Sequence, residues 1–229
     1  MPDPSEEMRI VAKRLQPLDV PFAFIGGAVM CLLVDHPELT EFRRTKDVDV
    51  IVEAVTYPEY AALEERLRLA GLEHDTSEGA PLCRWLVDGC RVDIMPKAPA
   101  NLGMNTKWFP EVLHHAMNTD LGEGCFAMVV TPPLFLATKL EAFKDRGKGD
   151  FYASHDLEDI ITLVDGRATI VQEVAAATAG IRKFVSREFA HILKHPDFRE
   201  TLPGHMPAML GATQRIPILV QRFEAISAL

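Results

Sequence analysis

The segment Asp47-Val-Asp-Val-Ile-Val52 constrains the fold more than any other stretch of the chain. It is rich in β-branched residues and reads as a strand, on which successive side chains point to opposite faces. Val48, Val50 and Val52 then share an apolar face that packs under helices, while Asp47, Asp49 and Ile51 share the other. Asp93 repeats the device between apolar neighbours in Cys90-Arg-Val-Asp-Ile-Met95. That strand follows Cys83-Arg-Trp-Leu-Val87 through Asp88-Gly89, the dipeptide a type I′ hairpin turn prefers. If the two acid-bearing strands are neighbours, three carboxylates converge. Two unit charges about 4 Å apart repel by roughly 4 kcal/mol at an effective dielectric near 20. Such a cluster therefore needs a raised pKa or a divalent cation. Oxygen ligands on rigid strands suit Mg²⁺ or Mn²⁺ bridging substrate phosphates. A lone Asp-x-Asp reads equally well as a turn cap at Asp47 and solvated strand acids at Asp49 or Asp93.

Upstream, the apolar strand Phe22-Ala-Phe-Ile25 runs into Gly26-Gly27, which opens a helix from Ala28 to about Val34. Two glycines at a helix start let backbone N–H groups approach a phosphate closely. The pair matches neither G-x-G-x-x-G nor G-x-x-x-x-G-K-[ST], which disfavours Rossmann and P-loop folds. A phosphate cradle, an Asp-x-Asp strand some twenty residues on, and a third acid on a later strand form a much more specific set.

Elsewhere, helical periodicity marks 5–16, 58–70 and 110–117, and Phe126-Ala-Met-Val-Val130 reads as another strand. The stretch 96–108 reads as loop. After Thr131-Pro-Pro133 the character changes, with helices expected at about 134–145, 155–164, 168–178, 180–193 and 213–227 and no further strand. These features predict an α+β chain: a small mixed sheet flanked by helices over 1–130, then an all-helical domain over 131–229.

With Gly26-Gly27, Asp47/Asp49 and Asp93 in place, the chain resembles the nucleotidyltransferase superfamily typified by DNA polymerase β. The helical half narrows the resemblance. Phe135-Leu-Ala-Thr-Lys-Leu-Glu-Ala-Phe-Lys-Asp-Arg146, followed by Ser154-His-Asp-Leu-Glu-Asp-Ile160, is similar to the AbiEii-like toxin and abortive-infection nucleotidyltransferases. The resemblance implies transfer of a nucleoside monophosphate group from a nucleoside triphosphate to an acceptor hydroxyl, with Mg²⁺ or Mn²⁺ as cofactor. It implies that Asp47, Asp49 and Asp93 are metal ligands and that Asp93 also assists deprotonation of the hydroxyl. Gly26 and Gly27 would hold the β- and γ-phosphates, aided by Arg44 and Thr45. Lys139 would meet the triphosphate, and Asp156 would orient Lys139 or the nucleotide. The implied partners are the triphosphate, a tRNA, protein or small-molecule acceptor, and an antitoxin protein.

The residues also carry plainer readings. Arg44 reads as a solvated loop charge. Lys139 flanks the apolar stripe of Leu136, Leu140 and Phe143, where a snorkelling surface lysine is the default. Asp156 falls in line with Ile160 and Leu163 but also suits a first helical turn capped by Ser154. Asp150 and Asp156 compete for one role because the Gly147–Ala153 connection is long, and Asp159 reads as an exposed helix acid.

Lys+Arg number 24 against 33 Asp+Glu, a net charge of −9, which argues against a surface that grips nucleic acid broadly. Short basic groups, such as Arg43-Arg44-x-Lys46, leave a local phosphate-handling site open. The acidic, proline-broken start and the interrupted apolar runs predict a cytoplasmic chain with no membrane span. Four cysteines without C-x-x-C spacing read as reduced, buried thiols, although Cys83 and Cys90 flank the hairpin; scattered histidines make zinc a poor expectation. Two other function classes compete with transfer: a non-catalytic nucleotide-binding module of the same fold, and an Asp-x-Asp glycosyltransferase. The latter is disfavoured by the lack of a βαβ series before Asp47.

Overall fold

The computed structural model describes residues 4–39, 42–43, 45–98, 107–147, 149–206 and 212–229. Two compact units emerge, Met1–Leu32 with Arg43–Thr131, and Leu33–Phe42 with Pro132–Leu229.

The first unit is built on a seven-stranded mixed sheet. Its strands are β1 (Phe22–Ile25), β2 (Val48–Val52), β3 (Glu73–His74), β4 (Arg84–Val87), β5 (Cys90–Pro96), β6 (Met117–Asp120) and β7 (Phe126–Val129), in the order β3-β4-β5-β2-β1-β7-β6. β2 lies antiparallel to β1 and parallel to β5, so the two acid-bearing strands are neighbours. The β4–β5 hairpin closes through Asp88 and Gly89, both with positive φ, the geometry a type I′ turn demands. Two short strands lacked a legible pattern: β3 has two residues, and β6 reads Met-Asn-Thr-Asp on the sheet edge, largely exposed.

Helices α1 (Pro4–Leu15), α2 (Met30–Leu33), α3 (Tyr57–Leu69) and α4 (Phe109–His115) accompany the sheet. α1 buries Met8, Val11, Ala12 and Leu15, spaced to form one stripe. Thr56 begins α3 with a capping box: its side chain accepts from the Glu59 N–H, and the Glu59 carboxylate accepts from the Thr56 N–H. Val48, Val50, Val92 and Ile94 are fully buried, with Trp85, Phe24 and Ile51 among the largest buried side chains. All four cysteines are free. Cys90 stands opposite Val87, and the Cys83 carbonyl accepts from the Ile94 N–H, so the register holds the two hairpin thiols apart.

The second unit is helical: α5 (Pro132–Asp145), α6 (His155–Gly166), α7 (Ile170–Ala176), α8 (Ala179–Lys194), α9 (Pro196–His205) and α10 (Ile216–Ser227). Among the described residues, no strand follows β7 and no helix is long and apolar enough to cross a membrane. Phe189, Phe198 and Phe223, from α8, α9 and α10, pack with ring centroids 4.6 and 4.9 Å from Phe223. α9 is the helix absent from the sequence expectation. It contains Pro203 and Gly204, which weaken a helical pattern, yet it buries Phe198, Thr201 and Leu202. Tertiary burial outweighs local propensity there.

Candidate active site

The parallel register pairs Asp49 with Asp93, and the hairpin register pairs Asp93 with Arg84. One row across β2, β5 and β4 therefore carries acid, acid and guanidinium on a single face. Asp47 lies immediately before β2, two residues from Asp49, which puts its side chain on the same side. Arg84 ties the row together. Its Nε donates to Asp93 Oδ1 at 2.8 Å and its Nη2 to Asp93 Oδ2 at 2.8 Å, a bidentate fork. Nη2 also donates to Asp47 Oδ2. The Arg84 side chain is only 17% exposed. Hydrogen bonding to Asp93 outweighs the cost of burial and raises its pKa further above its already high ordinary value.

The acid face reaches further. Glu7 of α1 is raised above the usual carboxylate range, first by burial and then by the charges of Asp47 and Glu6. Cys83 beside the row is pushed up to about 12 by burial, with Asp93 and Asp49 adding to the shift, so it is a thiol at neutral pH.

Gly26 meets the row from β1, where Ile25 pairs with Asp49. Its φ is +75°, and a Cβ built there would overlap Asp49 Oδ2 and lie 2.6 Å from Asp49 Cγ. Both the backbone conformation and the carboxylate call for glycine. Gly27 begins a 3₁₀ turn, Gly27–Val29, that runs into α2. The expected helix from Ala28 to Val34 is thus a 3₁₀ turn followed by one α-turn. Thr45 is half-buried two residues before Asp47, whereas Arg44 lies outside the described residues.

The three acids expected to ligate a metal do not fit a divalent cation as they stand. Both oxygens of Asp93 and one of Asp47 are held by Arg84. Among the described residues, no group of three or more His, Cys, Asp or Glu could hold a metal ion. The carboxylate chemistry suits a hard cation; the arrangement gives that position to an arginine. Arg84 was missed in the sequence, yet a signal existed. A two-residue turn at Asp88-Gly89 pairs 87 with 90 and, counting outward, 84 with 93.

In the helical unit, Lys139 and Asp156 come together, but with a third partner. Lys139 is 6% exposed, not a snorkelling surface lysine. Its Nζ lies 3.1 Å from Asp156 Oδ1 and 2.6 Å from Asp159 Oδ2. Asp159, expected to be an exposed helix acid, is also 6% exposed. α6 buries Leu157, Ile160, Ile161, Leu163 and Val164, a face wide enough to include both acids. Arg146, itself largely exposed, donates to Asp156 through Nε at 2.9 Å and Nη2 at 2.8 Å. Burial alone would raise Asp156, but the Arg146 hydrogen bonds and the Lys139 charge outweigh it and hold the carboxyl below the usual range. Burial likewise works against charged Lys139, and the charges of Asp159 and Asp156 win, raising its pKa. Ser154 caps α6 by accepting from the Leu157 N–H. Asp150, the rival acid, is exposed and accepts from the Tyr152 and Ala153 N–H groups of its own turn.

The fold has a counterpart among solved structures. The chain is similar to an antigenic nucleotidyltransferase-like protein from Paracoccidioides brasiliensis, at 20% identity over 88% of this chain and 92% of that one, with a TM-score of 0.50. It also aligns with ANT(2″)-Ia in complex with adenylyl-2″-tobramycin, at 9% identity over 82% of this chain and 97% of that one, TM-score 0.46. A solution structure of the antibiotic-resistance factor ANT(2″)-Ia aligns at 13% identity over 83% of this chain and all of that one, TM-score 0.45. No protein-family model and no curated protein matches the sequence.

Proposed function

We propose that this chain is a nucleotidyltransferase that moves a nucleoside monophosphate group from a nucleoside triphosphate to an acceptor hydroxyl. The observation that carries the reading is the single row in which Asp49 and Asp93 stand side by side, flanked by Asp47 and backed by the Gly26 turn, in a nucleotidyltransferase-like fold. A fold alone does not specify chemistry, so the proposal rests on the acids. In this reading the acceptor oxygen bonds to the α-phosphorus, the bond to the bridging oxygen breaks, and pyrophosphate leaves. The hydroxyl proton goes to Asp93, which must first be released by Arg84 on one oxygen. The backbone at Gly26-Gly27 is the proposed phosphate cradle.

The resemblance of 135–160 extends this reading to the AbiEii-like branch and, with it, to a toxin role and an antitoxin partner. Lys139 and Asp156 take the places that the resemblance gives them, and in this reading Asp156 orients the lysine. The acceptor class is RNA, protein or a small molecule. Incubation with each labelled triphosphate, with Mg²⁺ or Mn²⁺ and with or without total RNA, tests the reading. Transfer that disappears in Asp49→Ala is the expected result; no transfer under any condition, from wild type or variant, sinks it.

Arg84 favours one alternative, a nucleotide-binding module without catalysis, because it already occupies Asp93 and Asp47. Thermal-shift titration separates the two: stabilisation by nucleotide that ignores divalent ions supports binding alone.

A further inference from the structure

The acid row holds a cation that belongs to the chain. We propose that Arg84 is a built-in competitor for divalent cations: it occupies Asp93 and Asp47, and a metal binds this cluster only when its side chain leaves. The proposal deepens the transferase reading, because it regulates the same acids, and it rests on their being a cation site.

Three observations carry it. First, the guanidinium engages Asp93 through two parallel N–H donors and shares Nη2 with Asp47, so its contacts fall on the oxygens a metal would need. A planar fork satisfies such oxygens directionally, as a compact ammonium does not. Second, the register makes this placement a property of the backbone, since Asp49, Asp93 and Arg84 stand in one row fixed by two strand pairings. Third, the lock is incomplete. Arg84 bonds both oxygens of Asp93 but only one of Asp47, so one Asp47 oxygen lies outside its grip. Arg84 is the first residue of β4, next to the turn that its own N–H closes on the Pro81 carbonyl. Its side chain, 17% exposed, extends from the strand end.

Exchange would be one cation for another. Asp93 and Asp47 would hold the ion through the oxygens that Arg84 releases, the guanidinium would return to water, and no covalent bond would be made or broken within the chain. Metal affinity is then lowered by the free energy needed to free Arg84.

Mn²⁺ is the probe, added to the 229-residue chain in metal-free buffer and read by calorimetry and by the fraction of free ion in electron paramagnetic resonance. Wild type is expected to bind weakly. Arg84→Met should bind about tenfold to a hundredfold more tightly, since the released contacts are charge-assisted hydrogen bonds. Asp93→Asn in the Arg84→Met background should abolish the gain and so locate the ion. Arg84→Lys keeps the charge but loses the fork, and should fall between the two; it stands in if Arg84→Met does not fold, which the fluorescence of Trp85 and Trp108 reports. Affinity of either variant within twofold of wild type overturns the proposal. Tighter Mn²⁺ binding by the variant without any nucleotidyl transfer would leave the competitor in place and sink the transferase reading instead. Transfer by wild type at an Mn²⁺ affinity unchanged by Arg84→Met would do the reverse.

Discussion

Replacing Lys139 with Met tests how the helical unit holds its buried charges. At an effective dielectric near 20, charges 2.6 and 3.1 Å apart attract by about 6 and 5 kcal/mol, for Asp159 and Asp156 respectively. Desolvation of each buried ion costs several kcal/mol, so forming the network contributes little net stability. Removing one partner is a different matter, because the desolvated acids stay behind. Arg146 still pairs with Asp156, whereas Asp159 loses a contact at 2.6 Å inside an apolar helix face. The expected loss is about 3–5 kcal/mol. Urea unfolding followed by far-ultraviolet circular dichroism measures it, since α5 to α10 supply much of the helical signal. The pH dependence checks the cause. Protonating a buried acid that has lost a cation partner removes the charge that burial penalises, so part of the penalty is relieved on acidification. The deficit of Lys139→Met should therefore shrink as pH falls from neutral toward about 4. A loss below about 1 kcal/mol, or a deficit that grows in acid, would refute the reasoning.

Three further outcomes are expected. Asp156→Asn should flatten the acid limb of stability: the lowered folded pKa stabilises the wild type above the ordinary carboxylate value, near 4, and that contribution is lost as pH falls through the lowered value. A pH series of thermal unfolding that slopes equally for both proteins would contradict this. Gly26→Ala should destabilise by about 2 kcal/mol or more, because φ is +75° and the new methyl meets the Asp49 carboxylate; an unchanged melting temperature would count against the described turn. Thr56→Ala should cost about 1 kcal/mol through loss of the α3 cap, with Thr56→Ser recovering most of it in denaturant titrations.

Local patterns were legible because they depend on neighbours in the chain. A β-branched run marked β2, short apolar runs marked β1 and β7, the Asp88-Gly89 turn marked β4 and β5, and apolar stripes marked most of the helices, since such patterns survive without knowledge of what lies opposite. Asp88-Gly89 specified both the hairpin and, through its two-residue turn, the facing of Arg84 and Asp93. β3 and β6 escaped because short or exposed edge strands have no apolar alternation to display. α9 escaped because its proline and glycine weaken the local signal that burial of Phe198 and Leu202 overrides.

The order of residues alone determined that Asp47 and Asp49 share a strand face, that Asp93 lies on a hairpin, and that a glycine turn precedes them. Only the tertiary structure decided that β2 runs parallel beside β5, bringing Asp49 next to Asp93 across a separation no local rule reaches. It also decided which side of α6 faces inward, and so turned Asp159 from an expected surface acid into a buried partner of Lys139. The reason is physical: an acid's environment depends on the charge opposite it and the water excluded around it, and both come from residues distant in sequence. Arg84 stands between the two cases, its register set by a local turn and its bond to Asp47 set by the sheet.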